Sequence, residues 1–122
     1  MIKFVSSILL FILTSASVVQ AQFAKTKTPQ PTKSVVYKKF EKGNELKLFI
    51  FEPKQKVENR ACIIFFFGGG WKSGSPKQFY QQADRLAKQG ILAISADYRT
   101  KSSHKTKPQD AVRDAKSAVS WV

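Results

Sequence analysis

Three consecutive glycines, Gly68–Gly70, are the residues of this sequence best suited to chemistry. They follow the apolar run Ala61–Phe67 and precede Trp71. Glycine adopts positive φ without steric penalty, so the chain can fold back there and bring its backbone close to a ligand. Amide N–H groups in such a turn lack a strand partner and can stabilise the negative charge that develops on a carbonyl oxygen during acyl transfer. The pattern therefore predicts an oxyanion-binding loop built from the amides of Gly68, Gly69 and Gly70.

Two kinds of phosphate-binding loop are also rich in glycine, and the sequence matches neither. The nucleotide-binding motif G-x-x-x-x-G-K-[ST] has a glycine directly before its lysine, whereas Trp71 precedes Lys72 here. The dinucleotide motif G-x-G-x-x-G would place its third glycine at position 73, which is Ser73. A tight turn without chemistry remains the alternative interpretation of the three glycines.

The glycines interrupt a series of predicted strands. Val35–Tyr37 and Glu45–Phe51 are β-rich, and Gly43-Asn44 between them is a turn signal, so this region predicts a hairpin. Ala61–Phe67 is a continuous apolar run, which is typical of a strand that helices cover on both faces, and Ile91–Ala96 is predicted to be another buried strand.

Two helices are predicted between and after the buried strands. Ser75-Pro76 provides a cap and a first-turn proline for the first helix, which Gly90 ends. Pro108 opens the second helix, whose predicted apolar face consists of Val112, Ala115, Val119 and Val122. The alternation of strands and helices predicts an α/β fold, with a mostly parallel sheet and an N-terminal hairpin.

The motif I-I-F-F-F-G-G-G-W-x-x-G-S, which begins at Ile63, resembles the esterase/lipase branch of the α/β-hydrolases. A helix and a strand ending in Asp97-Tyr98-Arg99 follow it, as in that family. The most similar branch has a His-Gly-Gly-Gly motif and includes hormone-sensitive-lipase-like and bacterial acetyl or feruloyl esterases. The resemblance covers roughly 35–122 and implies that Gly68–Gly70 provide oxyanion-hole amides. It also implies that Asp97 and Arg99 organise the loop after their strand, and it places Phe67 where the family has a loop-bracing histidine.

The resemblance places the nucleophile and its partners outside this chain. No G-x-S-x-G motif occurs, because Ser73 lies one position late in Gly70–Gly74. In the family a serine, an acid and a histidine follow the second helix in that order, so all three are expected after Val122. The chain is therefore expected to be the N-terminal part of the fold, truncated before the nucleophile and inactive alone. His104, the only histidine, lies in the predicted polar loop 101–107 and is not expected to be catalytic.

Other reactive side chains receive structural interpretations. Cys62 is the single cysteine, so no internal disulfide can form, and its apolar neighbours predict a small buried core residue. Asp110 and Asp114, together with Arg113 and Lys116, predict a solvated face of the second helix. No cofactor or metal is expected.

The N-terminus has the composition of an export signal. Met1–Ala21 combines a lysine, an apolar stretch and small residues before a cleavage point after Ala21. The apolar stretch is shorter than the ~20 residues that span a bilayer, although an uncleaved anchor remains the alternative. Residues 22–33 predict a disordered tether and 34–122 the folded domain, in a secreted or periplasmic protein without a stable membrane span.

The net charge of +13 raises the question of anionic partners. The lysines are scattered and no nucleic-acid-binding fingerprint is present, so we interpret them as solvated surface and expect no nucleic-acid partner. The functional hypothesis is an exported serine hydrolase that acts on carboxylic esters, either small esters or acetylated and feruloylated carbohydrates. A prolyl-oligopeptidase-type peptidase and a non-catalytic exported binding protein are the alternatives.

The export signal makes a direct prediction. We expect N-terminal sequencing of the exported protein to begin at Gln22 or within a few residues of it, because Val19-Gln20-Ala21 offers small residues at the two positions that a signal peptidase reads. Recovery of Met1 on membrane-bound material would show instead that the segment is an anchor.

Overall fold

The computed structural model describes residues 27–56 and 58–122, which form a four-stranded sheet with helices on both faces. The strands are β1 (Lys33–Lys39), β2 (Glu45–Phe51), β3 (Cys62–Phe66) and β4 (Leu92–Ala96). The helices are α1 (Tyr80–Lys88), α2 (Lys101–His104) and α3 (Pro108–Trp121), and short 3-10 turns span Glu41–Gly43 and Pro76–Phe79. The predicted signal peptide, Met1–Ala21, lies outside the described residues.

The sheet order is β1-β2-β4-β3. β1 and β2 form the predicted antiparallel hairpin, β2 pairs antiparallel with β4, and β3 pairs parallel with β4. The α/β fold with an N-terminal hairpin is therefore confirmed. Pairing begins slightly before the predicted domain start at residue 34: Lys33 belongs to β1, and the N–H of Thr32 donates to the carbonyl of Ile50 at 2.7 Å.

The helical segment after the glycines begins at the predicted cap. The hydroxyl of Ser75 accepts a hydrogen bond from the N–H of Lys77 at 3.2 Å, and Pro76 occupies the first position. The first turn is a 3-10 turn rather than α-helix, and α1 continues from Tyr80 to Lys88, just before the predicted stop at Gly90. Among the described residues, none of the helices combines the length and apolar composition of a membrane span.

The core lies on both faces of the two central strands. On one face, residues of β2 and β4 pack against Ala118 of α3, and on the other they pack against α1. Buried residues on the first face are Leu48, Ile50, Ile94, Ala96 and Ala118; those on the second are Phe51, Tyr80, Ala83, Ala87 and Ala93. The prediction of burial on both faces is thus right for β4.

The same prediction is wrong for the start of β3. Cys62 and Ile63 are exposed, and Ile64 is only partly buried. The physical reason is position: β3 is the last strand of the described sheet and pairs with β4 along one edge only. The interpretation of Cys62 as a small core residue is therefore also wrong.

The predicted apolar face of α3 is wrong as well. Val112, Val119 and Val122 are 47%, 57% and 54% exposed. The face that packs on the sheet instead carries Ala111, Asp114 and Ala118, which are almost fully buried. Alanines let the helix approach the sheet closely, and the aspartate between them has its partners there.

Asp114 was predicted to lie on a solvated face, and this prediction is wrong. Its side chain is fully buried and accepts hydrogen bonds from Arg99 Nε at 2.8 Å, from the second Arg99 guanidinium nitrogen at 3.0 Å, from the Arg99 N–H at 3.1 Å and from Lys38 Nζ at 2.8 Å. Burial alone would raise the pKa of Asp114, but the hydrogen bonds from Arg99 and Lys38 outweigh it and hold this pKa below its ordinary value. Asp110, by contrast, is partly exposed and caps α3 by accepting from the N–H of Lys107.

The buried ion pairs predict a large cost for Asp114→Asn. Removing one partner of a buried pair leaves uncompensated charge, so the free energy of unfolding of the full gene product should fall by about 3–5 kcal/mol in chemical denaturation. Asp84→Asn is the matched control: Asp84 pairs with Lys88 on the surface of α1, and such a pair contributes only about 0.3–0.5 kcal/mol. Equal losses in the two variants would contradict the structural role of Asp114.

The lowered pKa of Asp114 also predicts a pH dependence. A carboxyl group with a depressed pKa in the folded state stabilises the fold above its unfolded pKa of about 3.9, and this contribution disappears as the pH falls through the lower folded value. The difference in unfolding free energy between the parent and Asp114→Asn should therefore shrink in acid below about pH 4. A difference in unfolding free energy that stays constant down to pH 2 would contradict the lowered pKa of Asp114.

Candidate oxyanion-binding site

The glycine loop and the segment 97–100 lie at the same edge of the sheet. Gly68–Gly70 come shortly after β3, and Asp97 follows β4 directly. Because these two strands are parallel, both segments leave the sheet at its carboxyl edge, where α/β folds bind their ligands.

The backbone of the loop is a tight turn that requires glycine at two positions. Gly69 has φ +147°, and a Cβ atom there would overlap the carbonyl oxygen of Ser73. The carbonyl of Gly69 accepts from the N–H groups of Lys72 and Ser73 at 3.1 and 3.4 Å, and these bonds close the turn. Gly74 has φ +120°, and its Cβ would lie 2.5 Å from the ring of Phe67. The turn thus folds back against the end of β3.

The three predicted donors of the loop are not equivalent. The N–H of Gly68 donates to Oε1 of Gln78 at 2.6 Å. The N–H groups of Gly69 and Gly70 have no hydrogen-bond partner among the described residues, and both glycines are exposed. The arrangement therefore leaves two adjacent amide donors available to a ligand, while the third is already engaged.

Tyr98 supports the glycine loop through contacts with Phe67, the residue before the glycines. Its hydroxyl donates to the carbonyl of Phe67, and the two rings stack with centroids 4.1 Å apart and planes 13° apart. Both side chains are buried, and burial raises the pKa of Tyr98, so the hydroxyl keeps its proton. Phe67, at the position where the resemblance implies a loop-bracing histidine, therefore contributes to the support of the loop by stacking. Tyr98 is part of the Asp97-Tyr98-Arg99 motif, but the motif does not indicate this contact.

The predicted polar loop 101–107 begins with the short helix α2, which also holds the glycine loop. The N–H groups of Lys101 and Ser102 donate to the carbonyls of Trp71 and Lys72 at 3.0 and 2.9 Å, and the hydroxyl of Ser102 donates to Lys72 at 2.6 Å. Trp71 lies in the left-handed region at φ +59°, a conformation that costs energy for a non-glycine residue and that these bonds help to hold.

His104 is the last residue of α2. Its Nδ1 lies 2.7 Å from the hydroxyl of Ser103, and that hydroxyl also lies 2.7 Å from Oγ1 of Thr100. Thr100 and Ser103 form the capping box of α2, so the contact belongs to the cap of this helix.

Asp97 and Arg99 link the site to the rest of the fold. The carboxylate of Asp97 accepts from the N–H of Tyr98 at 2.9 Å, and its carbonyl accepts from the hydroxyl of Tyr37 at 2.7 Å. Burial raises the pKa of Asp97, which the hydrogen bond from Tyr98 partly opposes. Arg99 binds Asp114 and lies over the ring of Phe40 at 4.2 Å. These contacts agree with the organising role that the family resemblance implied.

Within residues 27–56 and 58–122, no group of three or more histidine, cysteine, aspartate or glutamate side chains is arranged to hold a metal ion. The glycine loop itself offers backbone amides for chemistry at this edge. The N–H groups of Gly69 and Gly70 have no partner among residues 27–56 and 58–122, so they can donate hydrogen bonds to a ligand oxygen on which negative charge develops.

The parallel β3–β4 pair, the helices on both faces and the glycine loop at the carboxyl edge are features of an α/β-hydrolase of the esterase type. Residues 48–122 match the BD-FAE family model, and the chain belongs to this family. No curated protein matches the chain.

Several solved structures are similar to the chain. The esterase Est2 of Thermogutta terrifontis with propionate bound is 45% identical with a TM-score of 0.71, over 80% of this chain and 36% of that one. The apo form of the same esterase gives 44% identity and a TM-score of 0.72, over 81% of this chain and 37% of that one. The structure of Thermogutta terrifontis esterase 2 phosphorylated by paraoxon gives 44% identity and a TM-score of 0.72, over 81% of this chain and 38% of that one. The chain thus spans little more than a third of the length of these esterases.

The geometry of the loop predicts that Gly69→Ala will displace the free amides of the loop. The added methyl group would overlap the carbonyl of Ser73, so the turn and its free amides must move. Under the oxyanion-loop hypothesis, kcat and kcat/KM of the full gene product for ester hydrolysis should fall together by about a hundredfold or more, because the lost interaction would form mainly in the transition state.

Gly90→Ala is the matched control for this substitution. Gly90 also has a positive φ, of +90°, but a Cβ there meets nothing within 4 Å. Both variants carry the strain of alanine at positive φ, so thermal melting should show that cost in each, while only Gly69→Ala should lose activity. Equal kcat values in the two variants would leave the glycine loop as a turn without chemistry.

Proposed function

We propose that the protein is an exported carboxylic-ester hydrolase in which the N–H groups of Gly69 and Gly70 bind the oxyanion of the tetrahedral intermediate. The observation that carries this proposal is the pair of adjacent, exposed and unpartnered amides at the carboxyl edge of the sheet, within the part of the chain that the structure describes. Membership of the BD-FAE family supports ester hydrolysis as the class of reaction.

The proposed chemistry is acyl transfer through a covalent intermediate. A nucleophilic serine attacks the ester carbonyl, a histidine takes the serine proton and returns it to the leaving alcohol, and water then releases the acid. The carbonyl π electrons move onto the oxygen at each attack, and Gly69 and Gly70 stabilise that charge. In this proposal the serine, acid and histidine are supplied by the gene product after Val122, as the family resemblance implies.

The held geometry of the loop supports the role of its amides. Donors that already occupy their positions need no reorganisation when charge develops, and removal of one such donor typically reduces the rate about 10²–10³-fold. The carbonyls of Phe67, Gly69, Trp71 and Lys72 are all hydrogen-bonded, so the loop is held along most of its length.

The proposed substrates are esters of small acyl groups, including acetyl or feruloyl groups on carbohydrate. The relative from Thermogutta terrifontis that was solved with propionate bound supports a small acyl group. The similarity to esterases favours this function over a peptidase of the prolyl-oligopeptidase type and over a non-catalytic binding protein. Export to the periplasm or the medium rests on the signal-like segment Met1–Ala21.

A chain-length series tests the proposal. The full gene product should hydrolyse p-nitrophenyl acetate, propionate and butyrate with kcat/KM at least about tenfold above the octanoate ester, because a pocket that fits small acyl groups rejects longer ones. Residues 22–122 expressed alone should give no turnover above a heat-killed control. Hydrolysis of peptide p-nitroanilides in preference to the esters would favour the peptidase, and absence of all turnover in the full gene product would favour a binding protein.

A further inference from the structure

The peptide bond between Phe67 and Gly68 is held on both sides by side chains. Its carbonyl accepts from the hydroxyl of Tyr98, and its N–H donates to Oε1 of Gln78 at 2.6 Å. The bond is trans, so these two groups point in opposite directions from one plane. Two opposed hydrogen bonds therefore fix the rotation of this plane at the entrance to the glycine loop.

Gln78 reaches Gly68 from a fixed backbone. It belongs to the 3-10 turn Pro76–Phe79, and its own N–H donates to the carbonyl of Ser75 at 3.1 Å. The buried hydroxyl of Ser95 on β4 donates to the carbonyl of Pro76 at 2.7 Å. At the other end of the turn, the ring of Phe79 stacks on Phe65 of β3 at 4.9 Å. The turn is thus tied to both parallel strands, and the side chain of Gln78 transmits that position to the loop.

We propose that Gln78 is a positioning residue for the oxyanion site, an inference that rests on the proposed ester-hydrolase function. The plane of the Phe67–Gly68 peptide sets the direction in which the chain enters Gly69, and two glycines in succession resist rotation very little by themselves. The amide oxygen of Gln78 accepts a hydrogen bond from the N–H of Gly68, so this N–H is no longer available to a ligand. The N–H groups of Gly69 and Gly70 are then the pair aimed at the ligand.

The choice of glutamine fits this role. A carboxylate at the same place would also accept from Gly68, but it would set a negative charge beside a developing oxyanion and oppose it. A glutamine amide is a neutral acceptor, so it can orient the peptide without that repulsion.

Substitution of Gln78 by methionine tests the proposal in the full gene product. Methionine keeps the length of the side chain and removes the acceptor, so kcat should fall about tenfold to a hundredfold while KM stays within about twofold, as for a reacting group displaced by a fraction of an ångström. Thermal melting should change little, since Gln78 is exposed. Gln82→Met, at an exposed position of α1, is the matched control and should leave kcat, KM and melting at parental values.

Amide exchange of Gly68 provides a second readout that does not depend on turnover. In the parent, Gly68 should exchange at least about tenfold more slowly than Gly69 and Gly70, because its N–H alone is hydrogen-bonded. Gln78→Met should remove this protection, and Gln78→Glu, which retains an acceptor oxygen, should preserve it while still lowering kcat through its charge.

The outcomes separate the positioning role from the proposed function. Parental kcat in Gln78→Met would overturn the positioning role, and a kcat above the parent would show that Gly68 itself is a donor that Gln78 withholds. A loss of kcat/KM that comes only from a higher KM would also overturn it. If the parent hydrolyses no ester, the proposed function fails; equal Gly68 exchange in the parent and Gln78→Met would then also reject the hydrogen bond on which the inference rests.

Discussion

The buried carboxylate of Asp114 is the contact on which the arrangement of the site depends. Removing a carboxylate from water costs several kcal/mol, so its position is stable only while its hydrogen-bond partners stay in place. Those partners are Arg99, which follows β4, and Lys38 of β1, so Asp114 joins α3 to β1 and to the segment after β4. Arg99 is adjacent to Tyr98, whose hydroxyl and ring hold Phe67 at the start of the glycine loop. The buried carboxylate of Asp114 on α3 thereby fixes Tyr98 and Arg99, the segment that supports the loop.

The glycine loop is held almost entirely through its backbone. Tyr98, Gln78 and the first turn of α2 all bind main-chain atoms of the loop, and the N–H groups of Gly69 and Gly70 are left free within the described structure. Such an arrangement suits electrostatic catalysis, because donors that are fixed before the reaction need no reorganisation when charge appears on the substrate. It also explains how the loop keeps its shape with Phe67 at the position where the resemblance implies a histidine: the ring and the hydroxyl of Tyr98 support it from the β4 side.

Periodicity and turn chemistry predicted the strands, the two longer helices, the hairpin and the place of the glycine loop. They failed where a specific hydrogen-bond or packing partner, and not the hydrophobic period of the sequence, determines which side chain is buried. The valines of α3 form its most apolar stripe, yet Ala111, Asp114 and Ala118 are the buried residues of the helix. Asp114 is buried there with its hydrogen-bond partners Arg99 and Lys38, which the period of the sequence does not show. Helix α2 has four residues, which are too few to show a helical period in the sequence. Gln78 and Tyr98 bind backbone atoms of the loop, and contacts of this kind produce no recognisable residue pattern. The exposure of Cys62 follows from the edge position of β3, which composition cannot indicate.

The most direct test of the central claim is a crystal structure of the full gene product after reaction with paraoxon, the reagent that phosphorylates the similar Thermogutta terrifontis esterase 2. The phosphoryl oxygen of such an adduct occupies the position of the oxyanion. It should lie about 2.7–3.1 Å from the backbone nitrogens of both Gly69 and Gly70, the distance expected for oxyanion-hole donors, while the N–H of Gly68 stays on Gln78. A phosphoryl oxygen bound by other groups, or by Gly68 after its release from Gln78, would contradict the assignment of these two amides as the oxyanion donors.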